Sequence, residues 1–155
     1  EQLGDWCPLE TERGYNTTLP NPGVSLNRMV TFAEDHFVAT PMSAGLRIGG
    51  AVEFAGLEAP PNFARSKALL QLAAQYLPDL NVSGGNEWMG HRPSTPDSLP
   101  VIGRASRHSN ILYAFGHGHL GLTGSATTGR LVAALLRGEE AGLDLTPFRI
   151  GRFSS

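Results

Sequence analysis

Between residues 46 and 54 apolar and polar or small positions alternate: Leu46, Ile48, Val52 and Phe54 are interleaved with Arg47, Gly49, Ala51 and Glu53. A period of two is that of a half-buried strand, and it predicts one here. Two shorter runs precede it, Arg28 to Ala33 and His36 to Met42, rich in β-branched and aromatic residues, separated by Glu34-Asp35 and followed by Ser43-Ala44-Gly45. Their composition and punctuation predict an antiparallel meander. A further strand is expected around Tyr15. It is set apart by Pro20-Asn21-Pro22-Gly23, where proline presets φ and glycine admits a positive one.

The pattern then changes period. Pro60-Pro61 ends the sheet, Asn62 is placed to cap a helix running to about Leu77, and Pro78 stops it. Phe63, Leu70, Ala73, Ala74 and Leu77 fall on one face of that helix and predict its packing against a sheet. Prolines 93, 96 and 100 make the stretch from Pro93 to Gly103 loop-rich. An apolar strand, Ile111 to Phe115, runs from there into a glycine-rich turn and a second helix, from about Leu122 to Arg137. Gly138 terminates it, with Arg137 near the negative end of the helix dipole. Ala126, Gly129 and Ala133 thin one side of this helix, while Leu131, Val132, Leu135 and Leu136 bulk the other, so a backbone or a flat ligand can approach the thin side. The expected fold class is α+β: an antiparallel sheet with a flanking helix over residues 1–98, and a strand, glycine loop and helix over residues 99–155, forming one compact unit.

Composition narrows the functions. A chain of 155 residues with 41% hydrophobic content can bury the core of one ordinary domain. Its net charge of -2, with 12 scattered basic residues, leaves no basic excess for a nucleic-acid backbone. No apolar run approaches the roughly 20 residues of a membrane span, and the first residues lack the pattern of a signal peptide. The lone Cys7 cannot form an internal disulfide, so the expected compartment is the reducing cytoplasm. The chain opens in a polar stretch without methionine, which sets the expectation of a piece of a longer protein.

The chemistry concentrates in Gly116-His117-Gly118-His119-Leu120-Gly121-Leu122-Thr123. A strand that runs through glycines into a helix start brings backbone N–H groups and the positive end of a dipole to one place, which suits an electron-rich group. A phosphate loop would need a lysine that is missing, and a Rossmann unit would need a βαβ continuation for which too few residues follow. The anionic N1 and C2-carbonyl edge of a reduced flavin is another such group, and a glycine-lined helix start can stabilise it. His117 and His119 also leave a metal pair open, although a site wants three or four ligands and the sequence supplies no convincing others. The other reading makes His117 a loop-fixing hydrogen-bond partner and His119 a pocket residue.

Several pieces occur together in order: Glu12-Arg13-Gly14-Tyr15, then Arg47-Ile48-Gly49-Gly50 with Glu53-Phe54, then Gly90-His91-Arg92-Pro93-Ser94-Thr95-Pro96-Asp97 leading to Pro100-Val101-Ile102-Gly103, and Gly116 to Thr123 with its helix. In this combination the chain resembles the FAD-dependent D-amino-acid oxidase superfamily, and within it the bacterial D-amino-acid dehydrogenases and the glycine or sarcosine oxidases. The resemblance implies the C-terminal portion of a flavoenzyme that oxidises the C–N bond of a D-amino acid or a related imino acid such as a D-proline derivative. It implies that Arg92 pairs with the substrate carboxylate, a role suited to a planar guanidinium that can donate two parallel hydrogen bonds. It implies a pocket role for His119, and for Tyr15 either a pocket or a packed core position. It places Gly116, His117, Gly118, Leu120, Gly121, Leu122 and Thr123 against FAD, with no side-chain general base required. Asn16 stands where many close dehydrogenase relatives carry histidine. The dinucleotide grip is expected in an N-terminal region of the same protein, so FAD binding by these residues alone is expected to be weak or absent. A quinone as electron acceptor would place the enzyme peripherally at the inner membrane. The alternative is a non-catalytic binding or scaffold module derived from the same fold.

Overall fold

The computed structural model describes residues 2–153. Seven strands and two α-helices appear in the order β1 (Glu10–Leu19), β2 (Val30–Phe32), β3 (Phe37–Met42), β4 (Gly45–Phe54), α1 (Ala64–Tyr76), β5 (Asn86–Ser94), β6 (Val101–Arg104), β7 (Leu112–Phe115) and α2 (Gly121–Arg137). This is the expected α+β class. The backbone divides into two compact units, Arg13–His91 and a second made of the segment up to Glu12 together with Arg92 onward.

In the Arg13–His91 unit the predicted meander is present: β2 pairs antiparallel with β3, and β3 with β4 in the register Ala39↔Ile48 and Pro41↔Leu46. The strand around Tyr15 enters the sheet between β4 and β5, giving the order β2-β3-β4-β1-β5. Leu46 and Ile48 of β4 are buried as the alternation predicts, and with Leu19, Phe37, Ala39, Leu70, Ala73 and Leu80 they form the core, whereas Val52 is half-buried and Phe54, at the strand's end, is exposed. Helix α1 contributes Leu70 and Ala73, so the packing role of its stripe holds. Its capping differs from the expectation. Phe63 occupies the cap position without a side-chain hydrogen bond, and Asn62 acts through its backbone, donating its N–H to the Tyr15 hydroxyl at 3.0 Å and accepting from Arg65. The tyrosine hydroxyl satisfies the backbone where a cap was expected.

An arginine sits at the centre of this unit. Arg13 is completely buried, and its guanidinium donates to the carbonyl oxygens of Gly56 at 2.6 and 2.9 Å, Ala59 at 2.7 Å and Pro60 at 3.2 Å. The loop that follows β4 is thereby folded around a cation. Glu53 lies 3.6 Å from Arg13, accepts from Tyr15 Oη at 2.5 Å and pairs with Arg65 at 3.2 Å. The Tyr15 hydrogen bond, followed by those from Arg65, holds the Glu53 carboxyl below its ordinary range.

The second unit is built on β6 and β7, paired antiparallel in the register Val101↔Phe115 to Arg104↔Leu112. Strand β6 falls within residues read from their prolines as loop-rich. A short strand with one partner needs few residues, and Val101 and Ile102 are buried where β6 packs on α2 and the C-terminal turn Ile150–Phe153. Helix α2 ends as predicted, on Gly138 in the left-handed conformation. Its bulky side is narrower than expected, since Leu131 and Ala134 are buried while Leu136 is 68% exposed. Arg137 turns to Glu139, and Arg104 donates to the Leu135 carbonyl near the helix end at 2.6 Å. No helix among the described residues is long and apolar enough to cross a membrane.

A bidentate clamp closes the loop between β5 and β6: Arg152 donates to Asp97 at 2.7 and 3.2 Å and to the Leu99 carbonyl at 2.6 Å. The hydrogen bonds from Arg152, the largest of several contributions, lower the Asp97 carboxyl to about 2 from an ordinary 3.8. A carboxyl depressed by folding stabilises the native state fully above its unfolded value and loses that contribution as pH falls through its folded value. Stability is therefore expected to fall as pH drops from about 4 to about 2, and Asp97→Asn should flatten that part of a urea-midpoint-versus-pH curve. An equally steep curve in the variant would remove the clamp from the acid transition.

Candidate functional site

Strand β1 brings Glu12, strand β5 brings Arg92 and Ser94, and the turn after β7 brings His119. In the second unit these four meet on one carboxylate. Glu12 Oε1 lies 2.8 Å from His119 Nδ1 and 3.4 Å from Arg92 Nη1, and Glu12 Oε2 accepts from Ser94 Oγ at 3.1 Å. The Glu12 side chain is only 11% exposed, whereas Arg92 and His119 are 32% and 53% exposed. The carboxylate is the buried anchor, and the two cationic or polar ends reach outward from it.

This geometry sets donors and acceptors. An ionised carboxylate can only accept, so His119 Nδ1 carries the hydrogen in this contact, and in the neutral imidazole Nε2 is the acceptor. The 3.4 Å contact engages one terminal nitrogen of Arg92, leaving the other edge of the planar fork to receive a second carboxylate. The linear sequence assigns Glu12 no role. Its signal was its place beside Arg13 in a matched motif, but an acidic residue in a strand reads as a solvated face until a partner 80 residues away is known. Glu12→Ala should cost about 1.5–3 kcal/mol of stability, in the range of hydrogen bonds to charged groups. It should also release His119 into a mixture of ring tautomers, read from its nitrogen NMR shifts. Retention of a single Nδ1–H form would mean that another group orients the imidazole.

The turn beneath the cluster departs in one respect from a simple glycine loop. A single 3-10 turn, Gly118–Leu120, follows β7 and passes straight into α2. Gly116 has φ +77°, and a Cβ there would meet Thr95 Cγ2 at 3.0 Å, so both the backbone and the close approach of strand β5's end require glycine. His117 Nε2 hydrogen-bonds Thr128 Oγ1 at 3.0 Å, tying the turn to α2, while His119 points to Glu12. The two histidines thus have different partners.

Glu12, Ser94, Thr95 and the Gly116–Leu120 turn line a cavity of about 120 Å³. A larger one of about 410 Å³ in the same unit contains Asp5, hydrogen-bonded by Tyr113, and no basic side chain, so it does not suit an anionic substrate. Tyr15 belongs to the Arg13–His91 unit, where it is 1% exposed, packs edge-on against Phe63 and bridges Glu53 to Asn62.

The second unit thus sets a strand, a glycine turn and a helix without a side-chain cap beside an arginine-carboxylate cluster. The fold is similar to that of glycine oxidase from Geobacillus kaustophilus, with a TM-score of 0.80 at 28% identity over 99% of this chain and 42% of that one. It is also similar to L-proline dehydrogenase from P. horikoshii, with a TM-score of 0.79 at 24% identity over 98% of this chain and 42% of that one. By sequence the chain is 46% identical to a D-amino-acid oxidase of Bradyrhizobium diazoefficiens, over 97% of this chain and 37% of the relative. It is 34% identical to a D-amino acid dehydrogenase of Paramagnetospirillum magneticum, over 99% of this chain and 37% of the relative. Residues 1–135 match the family described as FAD dependent oxidoreductase, and the chain belongs to that family. It spans 37% of the length of the curated relatives it matches.

Family membership implies FAD, and the residues present fit one edge of it. Helix α2 begins without an acidic residue in its own first turn and without a side-chain cap, so its N-terminal N–H groups are left to favour an electron-rich group. Leu120 and Leu122, 63% and 90% exposed, flank this helix start with apolar surface suited to a flat ring. The 120 Å³ cavity is well below the roughly 300–1,000 Å³ of a complete cofactor pocket. Strand β7 pairs only with antiparallel β6 among the described residues, which is not the βαβ frame of a dinucleotide grip.

Proposed function

We propose that this chain forms the substrate side of a longer FAD-dependent enzyme that oxidises the C–N bond of a D-amino acid or a related imino acid such as a D-proline derivative. The observation that carries the reading is the meeting of Arg92 and His119 on buried Glu12, directly above the Gly116–Leu120 turn, in a chain of this family. Arg92 holds the substrate carboxylate through the edge of its fork that Glu12 leaves open. His119, with Nδ1–H committed to Glu12, presents Nε2 to the substrate. Gly116, His117, Gly118, Leu120, Gly121, Leu122 and Thr123 form the surface that faces the isoalloxazine, and the start of α2 favours negative charge there. Flavin, when bound, supplies the two-electron redox chemistry, and the protein supplies orientation and electrostatics. Tyr15 enters as support for β1, through Glu53, and not as a direct ligand.

Two measurements test this. The whole protein, reconstituted with FAD and mixed anaerobically with substrates, should show flavin bleaching with D-amino acids or D-proline. Bleaching by glycine and sarcosine alone would replace the substrate class, and bleaching by none would reject the reading. The 155-residue chain by itself should quench flavin fluorescence weakly or not at all, whereas micromolar binding would show that the main cofactor grip lies within it.

A further inference from the structure

The cluster around Glu12 leaves one acceptor atom unengaged. The Glu12 carboxylate meets Arg92, Ser94 and His119 at 3.4, 3.1 and 2.8 Å. His117 ties its Nε2 to Thr128 of α2 at 3.0 Å. Asp97 is clamped by Arg152, and Asp5 accepts from Tyr113 in a different cavity. His119 differs from all of these. Its Nδ1 is fixed by Glu12, its Nε2 has no hydrogen-bond partner among the described residues, and its side chain is 53% exposed. The two ring nitrogens of an imidazole point in divergent directions, so a ring held at Nδ1 by a buried carboxylate turns Nε2 away from it.

The charges that face this ring come from three elements. Strand β1 brings Glu12, β5 brings Arg92 and the turn itself brings His117, while α2 carries no ionisable side chain from Gly121 to Gly129. A proton arriving at Nε2 makes an imidazolium whose charge is met, at 2.8 Å, by a carboxylate that is only 11% exposed. Such a contact between opposite charges is stronger than its equivalent in water. With an amino acid bound to Arg92, the cluster holds two cations and two anions whether the proton sits on the ammonium or on the ring. Its transfer therefore leaves no net charge to be desolvated.

We propose that His119 is the proton acceptor for the ammonium group of the substrate, with Glu12 as its positioning partner. The proposal rests on the reading of Arg92 as the ligand of an amino-acid carboxylate. An ammonium nitrogen has no electron pair to share with Cα, so the C–N bond is oxidised only after one N–H proton has gone. One N–H bond of the ammonium breaks, its electron pair stays on nitrogen, and the proton bonds to Nε2; nothing is oxidised or reduced in this step. The proton stays on the ring through the oxidation and passes to solvent when the product leaves. The family pattern asks for no side-chain base, and the Glu12–His119 contact adds one.

The test uses the whole protein reconstituted with FAD. Anaerobic mixing with D-alanine gives the rate of flavin bleaching, and in the parent that rate should be level from neutral to alkaline pH. His119→Ala should slow it about a hundredfold or more at neutral pH, the range of general acid–base catalysis, and the rate should recover as pH rises and solvent takes the proton. Added imidazole should restore part of it at neutral pH. Glu12→Gln, which keeps an acceptor for Nδ1–H but removes the counter-charge, should fall between the two. Binding gives a readout without turnover: 2-aminoisobutyrate has no Cα–H to lose, and isobutyrate lacks the amino group. By calorimetry the parent should hold 2-aminoisobutyrate about tenfold more tightly than isobutyrate, as a charge-assisted hydrogen bond provides. His119→Ala should abolish that preference and leave isobutyrate binding unchanged. A His119→Ala enzyme as fast as the parent, or slowed equally at every pH and untouched by imidazole, would overturn the proposal. So would a parent that binds the two acids equally, or a Glu12→Gln enzyme as fast as the parent. In each of these cases D-alanine still bleaches the flavin and the substrate reading stands. A parent bleached by no amino acid would reject that reading and the acceptor role together.

Discussion

Replacing Arg13 with methionine should lower stability by about 3–5 kcal/mol, the range seen when one partner of a buried charged network is removed. The mutation deletes the guanidinium donors to the Gly56, Ala59 and Pro60 carbonyl oxygens and one counter-charge of Glu53, whose side chain is only 12% exposed. The aliphatic volume of methionine is close to that of the lost stem, so packing changes little and polar satisfaction dominates the loss. Arg13→Lys should recover only part of it, because one ammonium cannot span carbonyls that a planar fork reaches together. Urea denaturation of the three proteins checks both statements. A methionine variant within about 1 kcal/mol of the parent would mean that the loop after β4 simply opens to water.

If Arg92 pairs with the substrate carboxylate as proposed, replacing it with alanine in the whole enzyme should reduce kcat/KM by a factor equivalent to about 2–5 kcal/mol, expressed mainly in KM. A smaller fall in kcat should accompany it, from lost orientation at the reacting carbon. Arg92→Lys should lie between, since it keeps the charge and loses the fork. Stability should change little, because Arg92 touches Glu12 only at 3.4 Å and is one-third exposed. Steady-state kinetics on a D-amino acid decides the matter, and an unchanged KM would remove Arg92 from the pocket.

These two arginines differ in how much of their role a linear reading can reach. The role proposed for Arg92 rests on the family pattern of the residues around it, Gly90 to Asp97, and on the fit of a guanidinium to a carboxylate. Arg13 belonged to a matched motif as well, yet nothing local distinguishes a buried hub from a surface charge. Its acceptors lie more than 40 residues away, and they are backbone carbonyls, which leave no trace in side-chain identity. Glu12 was missed for the same reason. Asn62 was read as a side-chain cap because its type favours that role, whereas the Tyr15 hydroxyl, 47 residues distant, satisfies its backbone instead.

Strand β6 shows the converse. Three prolines between 93 and 100 signal loop, and a four-residue strand has too few positions to display a period. Its burial comes from α2 and the C-terminal turn around Ile150, which no window of local sequence contains.

By itself the sequence determined the meander, both helices, the stop at Gly138 and the fold class, because periodicity, β-branching and glycine or proline chemistry act over a few residues. It also carried the family pattern that points to a flavoenzyme. Tertiary structure alone decided that Glu12 gathers Arg92, Ser94 and His119, and that Tyr15 joins Glu53 to the backbone of Asn62. Hydrogen bonds and ion pairs act over about 3 Å in space whatever the separation along the chain, so which charges become partners is settled only when the strands are in register.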